Sequence, residues 1–151
     1  MLTIKKGNLF EHATRDCIIA HGCNAQGVMG SGVAKEIKQR FPEAYQVYQL
    51  QNKKGAMKLG TVTIATCANN IVVANCITQE FYGRDPRRVY VDYDAVTECM
   101  LQLDVLPTLL KFDYPLHIPF IGGGLANGNR DILLEIFEKE LANVEATLWL
   151  L

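Results

Sequence analysis

The stretch HGCNAQGVMGSGVAKE, His21–Glu36, closes an apolar run, carries Asn24, Gly27, Gly30 and Gly32, and opens directly into a segment of helical spacing. Glycine lets main-chain amides come close to a ligand, and a helix start gathers N–H groups with no helical partner. A phosphate-binding strand, turn and helix is therefore the first expectation. The preceding DCIIAHGC (Asp16–Cys23) is too short for a helix and is bounded by Asp16 and Gly22, which reads as a buried strand. From Gly32 to about Leu50, Val33, Ile37, Phe41, Tyr45 and Tyr48 recur at helical intervals, with Pro42 imposing a new turn or a kink.

Working outward, PLHIPFIGGG (Pro115–Gly124) repeats the arrangement: a short strand runs into glycines, and IGGGLANG (Ile121–Gly128) precedes an amphipathic helix over Asp131–Leu141. That helix is expected to turn Ile132, Ile136 and Phe137 inward and Glu135, Glu138, Lys139 and Glu140 outward. LTIKKGNLF (Leu2–Phe10) starts as a strand, GTVTIATC and NNIVVANC form a strand pair across a tight turn, and EATLWLL closes the chain as a strand. Tyr93, Val96, Met100 and Leu103 mark one face of a helix reaching about Leu110 unless Pro107 ends it early. Strands alternating with helices define an α/β chain with a mainly parallel or mixed sheet covered on both faces. In such sheets ligands bind outside the carboxyl ends of strands, so the two glycine turns are expected side by side over one crevice.

The chain has 151 residues, which suits one domain spanning 1–151, and its 15 basic and 16 acidic residues nearly cancel. No overall field draws in nucleic acid or an acidic membrane, and neither partner is expected; a monomer is. Five cysteines, at 17, 23, 67, 76 and 99, show no CxxC or Cys/His pairing and read as neither a disulfide framework nor a zinc site. With no signal-peptide pattern and no apolar segment of ~18–20 residues, the expected location is cytoplasmic. A P-loop string is absent, and Gly27, Gly30 and Gly32 run in the reverse order of the dinucleotide fingerprint, which excludes two nucleotide-binding classes.

HGCNAQGVMGSGVAKEI together with IGGGLANG, NCITQEFYGRD and VDYDAV resembles the macro domain family. The similarity is to its branch of ADP-ribose 1″-phosphate phosphatases and DNA or glutamate ADP-ribosyl hydrolases, and it runs from KGNLF to the last strand. It implies a three-layer α/β/α fold with a central mixed, mostly parallel sheet and an ADP-ribose cleft, with no metal or other cofactor. It also implies an ADP-ribose-binding set of Asn8, Leu9, Asn24, Gly30, Ser31, Gly32, Val33, Gln79, Tyr82, Ile121, Gly122, Gly123, Gly124, Leu125 and Ala126. In this reading Asn24 meets the distal ribose and Asn8 stands where many members carry an Asp facing the adenine amino group. Amides of the two turns flank the diphosphate.

His21 and Asn24 are the residues the resemblance makes catalytic, since imidazole exchanges protons near neutral pH. The glycohydrolase members use a Lys near the Gln79 position and an Asp near Ala126, and neither residue here supports that chemistry. The phosphatase-like members carry Asp and Trp where this chain has Asn129 and Arg130. Arg84, Arg87 and Arg88 offer guanidinium groups to a terminal phosphate, and Phe81 and Tyr82 offer rings to the distal sugar. The resemblance thus implies hydrolysis of ADP-ribose 1″-phosphate to ADP-ribose and phosphate. The alternatives are a catalytically silent ADP-ribose reader and, after it, a deADP-ribosylase acting on protein or DNA.

Overall fold

A computed structural model describes residues 1–151. Along the chain run β1 (Leu2–Lys6), α1 (Leu9–His12), β2 (Cys17–Asn24), α2 (Gly32–Arg40), α3 (Pro42–Lys53), β3 (Val62–Cys67) and β4 (Ile71–Gln79). They are followed by α4 (Tyr93–Leu110), β5 (Leu116–Pro119), α5 (Arg130–Glu140) and β6 (Ala146–Leu150). The strands form one sheet in the order β1-β6-β5-β2-β4-β3. All neighbours pair parallel except β3, which runs antiparallel to β4 at one edge. Near-continuous burial of β2 and of β4 through Thr78 matches their central places, because a strand covered on both faces has no solvent side to make polar. The β3–β4 turn uses Asn69 and Asn70 at φ 61° and 56°, a backbone region that asparagine tolerates.

The layers follow from strand alternation. Ile18, Ala20, Val72 and Ala74 face α4 and α5, where they pack with Val96, Met100, Leu133 and Phe137. Cys17, Ile19, Ile71 and Val73 face the opposite way, onto Leu9, Ile37 and Ala44. The result is the expected three-layer α/β/α fold with a mixed, mostly parallel sheet. No helix is long and apolar enough to cross a membrane.

One element-level expectation changes. Ile132 is 42% exposed, and Leu133 takes the inward place beside Phe137 at the i, i+4 interval. α4 reaches Leu110 as its spacing predicts: Pro107 lies inside it without ending it, and the helix stops where Lys111 turns to φ 60°. Of the two alternatives at Pro42, a new turn or a kink, the structure has the first: Pro42 opens a separate helix, α3. The one-turn α1, capped by the Asn8 side chain accepting from the Phe10 amide at 3.0 Å, has no counterpart in the sequence reading.

Candidate functional site

A cleft of about 810 Å³ lies across the carboxyl ends of β1, β6, β5, β2 and β4. Its floor is set by Gly22, where an added Cβ would stand 2.9 Å from Thr78 Oγ1 and 3.0 Å from Ile121 Cγ2. Because β2 and β5 are neighbours in the sheet, the turns that leave them stand next to each other. One wall holds Gly30, Ser31, Gly32 and Val33, and the other Ile121 to Ala126.

The amides on these walls are not used up by the protein. Those of Gly32, Val33 and Ala34 open α2 and precede its first internal bond, and Gly30 and Ser31 donate to no group of the chain. On the opposite wall Gly122, Gly124, Leu125 and Ala126 likewise donate to nothing, whereas Ile121, Gly123 and Asn127 close the turn internally. The second turn owes its shape to close packing. A Cβ on Gly123 would fall 1.7 Å from Phe120 Cδ1, and Gly122 sits at φ 82° with Val91 Cγ2 2.7 Å from its missing Cβ. Two rows of N–H groups facing one space, one at a helix start, make an anion site with room for more than one phosphate.

Asn24 is buried on the cleft, and most of its side chain shapes the first turn. Its Oδ1 accepts from the Gln26 amide (3.0 Å), the Val28 amide (3.3 Å) and the Tyr48 hydroxyl (3.0 Å), while Nδ2 donates to the Val28 carbonyl at 2.8 Å. One Nδ2 hydrogen is left for a ligand. The helical spacing of Tyr48 gives no sign of a role at the site, yet it is fully buried beneath the turn and its hydroxyl also reaches the Asn24 carbonyl at 2.5 Å. Gln79 lines the cleft with Nε2 donating to the Phe81 carbonyl at 2.7 Å, which leaves Oε1 as its outward acceptor. Asn8, Leu9 and Tyr82 also line the cleft.

His21 is a correction. It is wholly buried on the face of β2 opposite Gly22, away from the cleft, with Nε2 2.7 Å from Asn75 Oδ1. Asn75 Nδ2 donates to the Ala44 carbonyl at 3.0 Å, which turns Oδ1 toward the imidazole and makes Nε2 the proton-bearing nitrogen. Burial lowers the His21 pKa to about 4, against a weaker opposing effect of the Asn75 bond, so the ring is neutral at pH 7. It does not line the cleft, and as a neutral ring it offers no positive charge. Its neighbour Cys23 is buried as well, and burial pushes its thiol up, away from thiolate chemistry.

Asn129 is the N-cap of α5, its Oδ1 accepting from the Asp131 and Ile132 amides at 2.9 and 3.1 Å. Of the three loop arginines only Arg84 lines the cleft; Arg87 pairs with Asp85 and Arg88 lies over the Phe81 and Tyr90 rings. Arg130 joins it on the cleft, resting on Phe120. The only acidic side chain lining the space, Glu36, is paired with Arg40 at 2.9 Å. Phe81 stays outside. Trp149 is buried and also reaches the cleft, donating from Nε1 to His117 Nδ1 at 2.9 Å and stacking on His12.

Comparison with known proteins agrees with this geometry. No family model matches the chain. An uncharacterized 17.5 kDa protein from the tk-vs intergenic region of Enterobacteria phage T4 is 30% identical over 128 residues, covering 84% of this chain and 81% of that one. An ADP-ribose 1″-phosphate phosphatase of Candida albicans is 27% identical over 131 residues, covering 83% and 84%. The macrodomain of Thermus aquaticus DarG has the same fold, with a TM-score of 0.82 at 24% identity over 100% of this chain and 99% of that one. An α/β/α sandwich with paired amide-lined turns at its strand ends defines a class of phosphate-clasping modules. The chain belongs to the macro domain family.

Proposed function

We propose that the protein binds ADP-ribose 1″-phosphate in this cleft and hydrolyses its terminal phosphate ester, releasing ADP-ribose and phosphate. The observation that carries the reading is the pair of amide rows lining one cleft from two turns, whose number suits a diphosphate better than a single phosphate. The activity named for the Candida albicans relative supports the choice of ligand. The cleft's ends differ in the sense such a ligand requires. Phe10, Trp149 and Leu150 make an apolar end at β1 and β6 that suits a base, and Asn24, Gln79 and Tyr82 make a polar end at β2 and β4 that suits a sugar. Those ends lie four strand spacings apart, roughly 19 Å at ~4.8 Å each, which is the scale of an extended dinucleotide-like molecule.

In this account the amides of residues 30–34 and of Gly122, Gly124, Leu125 and Ala126 hold the diphosphate. The free Nδ2 hydrogen of Asn24 and Oε1 of Gln79 orient the distal ribose, and Tyr82 covers it. Water is the nucleophile, because Ser31 has no basic partner and Glu36 is engaged by Arg40. Turnover then depends on positioning and on electrostatic stabilisation of the departing phosphate. A second reading, an ADP-ribose reader without turnover, is favoured by one observation: no histidine or aspartate side chain lines the cleft. Phosphate release from ADP-ribose 1″-phosphate, assayed beside calorimetric titration with ADP-ribose, decides between them. Binding with release supports the enzyme, binding without release selects the reader, and binding of neither molecule removes both.

A further inference from the structure

A cation with no carboxylate partner lines the cleft from the loop that follows β4. Arg84 lines that space, and no carboxylate comes within ion-pairing distance of it. The acid next to it in the chain, Asp85, is already taken: Arg87 donates to Oδ1 from its amide at 3.0 Å and from Nε at 3.2 Å. The other lining acid, Glu36, is occupied by Arg40.

The loop carrying Arg84 is anchored although its side chain is exposed. Asn127 Nδ2 donates to the Asp85 and Arg88 carbonyls at 2.9 and 2.8 Å, and the Tyr90 amide donates to the Ala126 carbonyl at 2.8 Å. The Asp85 amide is held in turn by the Tyr90 hydroxyl at 3.2 Å. These bonds tie the loop after β4 to the far end of the second glycine turn, so Arg84 starts from a backbone fixed relative to the amide rows.

This placement matters because of how the ligand's charge is distributed. The diphosphate lies over β5 and β2, where amides already meet it, and the distal ribose is neutral. A guanidinium at the β4 end has nothing to neutralise when ADP-ribose is bound. It has a dianion to neutralise when the ribose carries a 1″-phosphate, and its planar fork suits phosphate oxygens.

Resting on the ADP-ribose reading above, we propose that Arg84 is the residue that distinguishes the phosphorylated substrate from its ADP-ribose product. The test is calorimetric titration of wild type, Arg84→Ala and Arg84→Lys with two probes. One is ADP-ribose, and the other is its 1″-phosphonate analogue, whose C–P bond is not hydrolysed. Wild type is expected to favour the phosphonate by about 10-fold or more, the range for hydrogen bonds to a charged group. In Arg84→Ala the ratio of the two affinities collapses to near one, and in Arg84→Lys it is intermediate. A ratio unaltered by Arg84→Ala overturns the proposal while leaving the ADP-ribose reading intact. A wild type that binds neither probe overturns both.

Discussion

His21 and Asn24 are three residues apart on one strand, yet they face different surroundings. Strand alternation sends His21 toward α3, while the register shift after Cys23, where Asn24 pairs with Gln79 and Thr78 is passed over, brings Asn24 onto the cleft. The imidazole is thus a hydrogen-bonded core group. His21→Gln is expected to keep ADP-ribose affinity within about twofold while lowering stability by roughly 1–3 kcal/mol, read by calorimetry and urea denaturation. Its titration adds a pH signature. The unfolded imidazole takes a proton near its ordinary value of 6.5 and the folded one only near 4, so the unfolded state binds more protons between those values. Wild type should therefore lose roughly 3 kcal/mol of stability from this group as pH falls from about 6.5 to 4. A denaturation series at pH 7.5, 6, 5 and 4 checks this: the His21→Gln curve should be flatter over that window, and parallel curves would contradict the assignment. Asn24→Ala frees the Gln26 and Val28 amides and the Val28 carbonyl at once, while the Tyr48 hydroxyl keeps the main-chain carbonyl of residue 24. It is expected to weaken ADP-ribose binding by about 10-fold or more through loss of the turn's shape.

At the scale of elements, the two glycine turns and the cap of α5 separate binding from stability. Gly123→Ala must move Phe120 or the turn itself, since the new Cβ would overlap the ring. ADP-ribose affinity should fall at least about tenfold with the circular dichroism spectrum retained, because a displacement of even ~1 Å misaligns the amides. Asn129→Ala should instead cost about 1 kcal/mol of stability from a lost N-cap and leave affinity and phosphate release as in wild type. A large loss of phosphate release in that variant would return Asn129 to the chemistry. Most of the elements were legible from pattern: the buried runs of β2 and β4, the helical spacing after Gly32, and the interruption of that spacing at Pro42. What pattern could not show was which of two adjacent apolar residues turns inward, as with Ile132 and Leu133, because both satisfy a helical repeat and only packing against the sheet and α4 decides between them. The single turn of α1 is too short to generate a periodic signal at all.

Across the whole molecule, the cleft gathers residues distant in sequence, and legibility falls off with that distance. The glycine turns announce themselves because each is local, and their adjacency follows from β2 and β5 being neighbours in the sheet. Thr78, Phe120 and Trp149 line the same space but carry no local signature, since ordinary core residues have the same composition. Tyr48 acts on the site from beneath, through a bond spanning 24 positions, and Asn75 holds His21 in the core across 54; a single sequence holds no trace of such pairs. The direct test of the account is a titration of ¹⁵N-labelled protein with ADP-ribose, following amide shifts on both walls. The expected result is saturable movement of Gly30, Ser31, Gly32 and Val33 and of Gly122, Gly124, Leu125 and Ala126 with one shared dissociation constant. Movement confined to one turn, or none in either, would contradict the claim that the two rows of N–H groups grip a single diphosphate.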